Sequence, residues 1–208
     1  DIDISRTNGA DYIIGQGEAT TTLSGSTVDR MFEVLPQASL FLKDLTISGS
    51  TTDGDETHGG GVKVVGGDLV LQNVTFDSNN AFEASGAGED SQGGAVYFST
   101  SGKYGGVLAV DGGSFTNNQA DIHGGGISFQ GTNAAENLMI IRNNTLFSGN
   151  TSSVNDSGGD GGGFFLTGAR NRVEIGTSGG SASITLEDNT SSESGGGFAM
   201  TGKNHEVT

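Results

Sequence analysis

Glu56, Asp90 and Asp121 each stand three residues ahead of a glycine pair, Gly59-Gly60, Gly93-Gly94 and Gly124-Gly125. Carboxylates that recur in one register of a repeating chain repel one another unless a cation sits between them. Hard oxygen ligands on acidic loops suit Ca²⁺. The three acids are therefore a candidate calcium site, with Asp53, Asp55 and Glu89 near enough in sequence to complete it. The competing reading is three acids pointing into solvent from loops of variable length, which needs no metal.

His58 and His123 each sit directly before a glycine pair, with Gln92 between them in register and Ser194 at the last copy. Together with the nearby acids they are the best acid–base candidates for a polysaccharide lyase or hydrolase. Mixed residue types at one register fit a solvated turn column better, and a chain with few bases has little to activate a sugar proton or hold a uronate. No catalytic residue is assigned, and the protein is not expected to be an enzyme. Tyr97, Tyr104 and Phe165 are the aromatic candidates for surface contact with sugar or protein; burial of Phe165 beneath an insert is an equal alternative. Asn73, Asn143, Asn150, Asn155 and Asn189 each begin an Asn-x-Ser/Thr sequon, a triplet that a chain rich in Asn, Ser and Thr also makes by chance.

These residues have to be positioned by a repeat. The glycine pairs Gly59-Gly60, Gly93-Gly94, Gly124-Gly125, Gly161-Gly162 and Gly195-Gly196 begin 34, 31, 37 and 34 residues apart. After each block, the first residue (Val62, Val96, Ile127, Phe164, Phe198) and the third (Val64, Phe98, Phe129, Leu166, Met200) are apolar. The residue between them is mixed: Lys63, Tyr97, Ser128, Phe165 or Ala199. That is period-two alternation, two side chains in and one out. A phosphate-cradling glycine loop opens a helix, whereas these glycines open strands, so they are read as bends.

A second block ends in Phe-x-x-Asn: Phe76 to Asn79, Phe115 to Asn118, Phe147 to Asn150, and Leu186 to Asn189 as a weaker fourth. The aromatic ring is expected to fill a core corner. The Asn is expected either to stack on the Asn of the next turn or to take left-handed geometry at the bend. "LMIIRNNTLFSGN" fits the block with one inserted residue, and "SLFLKDLTISGS" fits it residue for residue, placing Leu40, Leu42, Leu45 and Ile47 over Leu69, Leu71, Val74 and Phe76. Phe32 and Val34 then match Val62 and Val64.

A unit of this length with short strands and no helical period cannot bury its apolar face alone and must stack on its neighbours. The expected fold is all-β, a right-handed parallel β-helix of about six turns, roughly 30 Å long at the strand spacing. Residues 1–30 are an edge turn or a junction with a preceding segment, and 31–208 are the repeat coil. The inserts "STTDGDETH", "NAFEASGAGEDSQ" and "NTSSVNDSGGD" all follow the Asn corner and should project from one edge, where a binding surface would lie.

The alternation of Gly-Gly-Ala/Gly-Val/Ile with Phe-x-x-Asn resembles the repeat pair of chlamydial polymorphic membrane proteins and related bacterial surface passengers and adhesins, over about residues 32–202. The resemblance implies a β-helix exposed at a cell surface and used for adhesion or as a stalk. The translocator barrel of that family is absent from this sequence.

Composition excludes several other classes. A net charge of −16, from 25 acids against nine Lys and Arg, disfavours nucleic acid and anionic membranes. Thirty-eight glycines with one proline and no collagen period imply many tight turns. There is no cysteine, hence no disulfide framework, and no apolar run of membrane-spanning length. A start at Asp1 without Met or a signal-like segment suggests a processed or excised piece. The expected partners are further copies or adjacent domains, end to end, and glycans or proteins of a host or matrix. Ca²⁺ is the one cofactor candidate.

Overall fold

The computed structural model describes residues 1–5, 8–52, 58–82, 91–100, 105–132, 136–152, 158–176 and 183–208. Among them every regular element is a strand, and every strand pair is parallel. The chain is a parallel β-helix whose turns contribute to three sheets. The first sheet has seven strands, Ile2–Ile4, Phe32–Val34, Val62–Val65, Val96–Ser99, Ile127–Gly131, Phe164–Gly168 and Phe198–Met200, in chain order. The second has ten, built around Ser39–Ser48, Asp68–Asp77 and Val107–Thr116; the third is the short set Thr51–Thr52, Asn80–Ala81, Gln119–Ala120 and Thr151–Ser152. Residues of the first thirty supply an additional rung, since Ile2–Ile4 and Asp11–Ile14 pair with the strands of the following turn.

The registers follow the apolar alternation. Val62 pairs with Val96, Val96 with Ile127, Ile127 with Phe164 and Phe164 with Phe198, giving one inward column; Val64, Phe98, Phe129, Leu166 and Met200 form the next. Leu40, Leu42, Leu45 and Ile47 pair with Leu69, Leu71, Val74 and Phe76, as the sequence alignment expects. The core is these columns, all essentially inaccessible to solvent in the middle turns. Removing one such Phe from water contributes about 1.5–3 kcal/mol, and the rings also stack: Phe76 on Phe115 at 5.2 Å, Phe115 on Phe147 at 4.8 Å, and Phe98 on Phe129 at 4.8 Å between centroids.

The inserted residue of the third Phe-x-x-Asn block has a visible cost in regularity. Where the three preceding turns run one ten-residue strand, this one has Asn137–Arg142 and Thr145–Ser148, with Asn143 and Asn144 between them at positive φ, 50° and 47°. Asn tolerates that conformation better than most residues with a side chain.

The glycine pair bends the chain from the third sheet into the first. Gly124 has φ +64°, and a Cβ on Gly125 would lie 2.5 Å from the carbonyl oxygen of Thr151 one turn on. The first glycine supplies a left-handed conformation, and the second allows backbones to touch.

Candidate functional site

Two polar columns run along the coil, one inside and one outside. The inside column is the asparagines of Phe-x-x-Asn. Asn79, Asn118 and Asn150 are fully buried. The backbone N–H and the Nδ2 of Asn79 both donate to Asn118 Oδ1, at 2.9 and 3.1 Å. Asn118 donates likewise to Asn150, and Asn150 to Asn189. Each Nδ2 also reaches back to a carbonyl of the preceding turn: Asn118 to Phe76 and Asn150 to Phe115. Of the two expectations for this Asn, stacking is what occurs; the left-handed conformation falls on the residue before it, Ser78, Asn117, Gly149 or Asp188. The amide has donors and acceptor in the right places to saturate a buried turn in both directions, which no apolar side chain could do.

The outside column is the residue before each glycine pair. It is half-buried over its first four members and exposed at Ser194, and its side chains bond to the next turn instead of only to solvent, which corrects the sequence reading in part. The His58 ring stacks on Tyr97 of the next turn at 4.3 Å, and His123 on Phe165 of its next turn at 4.2 Å. In both cases Nδ1 accepts a backbone N–H from the following turn, that of Gln92 at 3.3 Å and that of Asp160 at 3.1 Å. A neutral ring used this way carries its proton on Nε2. Between the two histidines, Gln92 Oε1 accepts from Ser128 Oγ at 2.9 Å and Gln130 Nε2 at 2.7 Å. At the fourth copy Asp160 Oδ1 accepts the Ser194 N–H.

This cover explains a second correction. Tyr97 is 7% exposed and Phe165 3%, so Tyr97 is not the surface aromatic expected, and for Phe165 it is the burial alternative that holds. Both face out of the coil and are roofed by the imidazole of the turn before. Burial raises the Tyr97 phenol above the ordinary tyrosine value, opposed in part by a hydrogen bond with Ser99, and its hydroxyl donates to Gln130 Oε1 at 3.1 Å. The sequence does hold the signal. The mixed position one full turn after each histidine's own strand is an aromatic, Tyr97 after His58 and Phe165 after His123, while the position one turn after Gln92's strand is Ser128. Gln130 and Asp160, which complete the outer column, were not singled out by residue type.

Of the calcium register, Asp121 is buried at 2% exposure, and its backbone N–H donates to the Ala81 carbonyl. Glu56, Asp90, Asp53, Asp55, Glu89 and Tyr104 lie outside the described residues. A different acidic group is brought together at the first turns: Asp1, Asp3 and Glu33, with ligand atoms within 4.8 Å of one another. Cations already occupy it. The buried Arg30 guanidinium lies 3.3 Å from Asp1 and 3.2 Å from Glu33, and Lys63 lies 3.1 Å from Glu33. Of the sequons, Asn150 and Asn189 are committed to the inner ladder, whereas Asn73 and Asn143 are exposed; Asn155 is outside the described residues.

The strands that precede the inserts in the chain, Thr51–Thr52, Asn80–Ala81 and Thr151–Ser152, lie stacked in one sheet. Residues 112–130 match the Chlamydia polymorphic membrane protein repeat. That stretch contains Phe115 to Asn118 and Gly124 to Ile127, one copy of each motif. The chain thus carries a polymorphic membrane protein-like repeat. No curated protein and no solved structure matches it.

Proposed function

We propose that this coil is an extracellular structural or adhesive segment of a large cell-surface protein. The observation that carries the reading is the repeat match over residues 112–130, which falls on the two motifs that build the turn. A stacked coil suits display: each added turn extends it by about 4.8 Å without a new core design. Glycans or proteins of a host or matrix would be met on the edge from which the inserts leave, and neighbouring domains or copies at the ends.

The second reading, a pectinase-like lyase or hydrolase, is less well supported. Both buried-edge histidines spend Nδ1 on a backbone N–H and one ring face on an aromatic. That arrangement fastens turns together and leaves little of the ring for a substrate.

Antibodies against the folded segment should label intact producing cells, and beads coated with the segment should attach to host or matrix surfaces. Labelling only after permeabilisation would overturn the surface assignment. Labelling without bead attachment would leave a structural stalk. Loss of polysaccharide chain length on incubation with the segment would restore the enzyme reading.

A further inference from the structure

Strand alternation sends half of the second sheet's side chains outward, and along the first half of its strands these are apolar. Phe41, Val70, Val107, Ala109, Leu138 and Ile140 stand at outward positions of four adjacent strands, Ser39–Ser48, Asp68–Asp77, Val107–Thr116 and Asn137–Arg142, and each is partly exposed. The outward positions of the third sheet are polar, Thr51, Asn80, Gln119 and Thr151. A contiguous outward apolar patch with a charged rim is the pattern of a protein contact.

The signs of the rim are ordered along the coil. Asp68 and Arg172 stand in one outward column, with Val107 and Leu138 on the two turns between them. On the other side of Ala109 and Ile140, Asp111 and Arg142 stand on adjacent turns of a second column. Acids therefore lie toward the first turn and bases toward the last. A two-fold axis parallel to the strands, midway between the turns of Val107 and Leu138, lays a second copy antiparallel on this face. Val107 then meets Leu138, Ala109 meets Ile140, Asp68 meets Arg172 and Asp111 meets Arg142. Glu174, which falls opposite Val70, is held by Arg142 and Arg172 of its own chain at 2.8 and 3.1 Å through one terminal nitrogen of each. The rest of each guanidinium fork is left to face the second copy.

Other pairings of the same face match poorly. With the axis along the coil, Val107 meets Asp111 and Leu138 meets Arg142, apolar against charge. Moving the antiparallel axis by half a turn sets Asp111 against its own copy in one direction and Asp68 against Glu206 in the other. We propose that this face joins two copies of the chain, coil axes antiparallel, through a two-fold at Val107 and Leu138. The interface is isologous, so it closes as a dimer. Coils anchored side by side on one surface stand parallel, and an antiparallel pair instead suits coils that meet from opposed surfaces. That consequence rests on the cell-surface reading; the pairing itself does not, and surface labelling and bead attachment are independent of it.

The test is sedimentation equilibrium of the whole chain over a concentration series reaching about 0.1 mM. The wild type is expected to form dimers. Ile140→Asp puts a charge at the centre of the face and should weaken the dimer at least about tenfold. Arg172→Asp and Asp68→Arg each set like charges against each other twice in a dimer, and each alone should also weaken it at least about tenfold. Mixed in equal amounts, the two variants should recover the dimer. Asp68 of one chain then meets Arg172 of the other, and the two substituted residues meet as well. Within one chain these positions lie three turns apart, about 14 Å, so recovery reports a contact between chains. If circular dichroism shows either variant unfolded, Arg142→Asp and Asp111→Arg replace them in the same mixing experiment. The proposal is overturned by a monomer throughout the series, by a dimer that Ile140→Asp leaves unchanged, or by folded variants that fail to recover the dimer on mixing.

Discussion

The inner and outer columns join the same turns by opposite rules. Inside, like meets like: Asn79, Asn118, Asn150 and Asn189 each bond to the next asparagine, and Phe76, Phe115 and Phe147 stack on one another. Outside, unlike residues meet, and the residue type changes at every turn: His58 with Tyr97, Gln92 with Ser128, His123 with Phe165. Translation by one turn maps the inner column onto itself, so any residue there must be its own partner. An amide is, because it is donor and acceptor at once. The outer column is staggered, each residue lying on the strand of the following turn, so it needs only a matched pair at each step and is free to vary along the coil.

That contrast predicts a ranking of effects. Phe115→Ala removes a fully buried ring between two others and should cost about 4 kcal/mol in urea unfolding. A loss below about 1 kcal/mol would mean the corner collapses around the gap, and the inner column would not be the main fastening. Asn118→Ala should cost about 3 kcal/mol, because the Asn79 backbone N–H is left buried without its acceptor, and the Asn79 Nδ2 and the Phe76 carbonyl each lose one of their partners.

A double-mutant cycle between His123→Ala and Phe165→Ala should show a coupling of about 1 kcal/mol. The same cycle between His123 and Tyr97, which stands on the strand of the turn before, should show almost none. Equal couplings would dissolve the stagger on which the comparison rests.

The smallest effect belongs to Tyr97 at high pH. The folded state holds the phenol proton more tightly than the unfolded chain, where the value is about 10. Its contribution is therefore fully present below that value and lost as pH rises through the folded one. As pH rises from about 9 into the alkaline range the wild type should lose more stability than Tyr97→Phe, read from urea midpoints.

How much of this was legible in the sequence follows from the same two rules. The columns of Val62, Val96 and Ile127, the overlay of Leu40 on Leu69, and the Asn stack all leave a periodic trace, because a residue that partners its own copy must recur. The break at Asn143 and Asn144 was legible as an insertion. The roof over Tyr97 was misread and the burial of Phe165 was left as one of two alternatives, since strand alternation fixes which way a side chain points and says nothing of what lies on top of it. The acidic group at Asp1, Asp3 and Glu33 left no trace, being assembled from two turns and then filled by Arg30 and Lys63.

The sequence by itself determined the turn: its strands, its glycine bends, its inward columns and the partner of every residue that repeats. The tertiary structure alone decided the offset between a loop residue and the next strand, which put imidazoles over aromatics. The physical reason is that a fixed period specifies contacts between equivalent positions, whereas contacts between non-equivalent positions depend on how far each bend carries the chain past its neighbour.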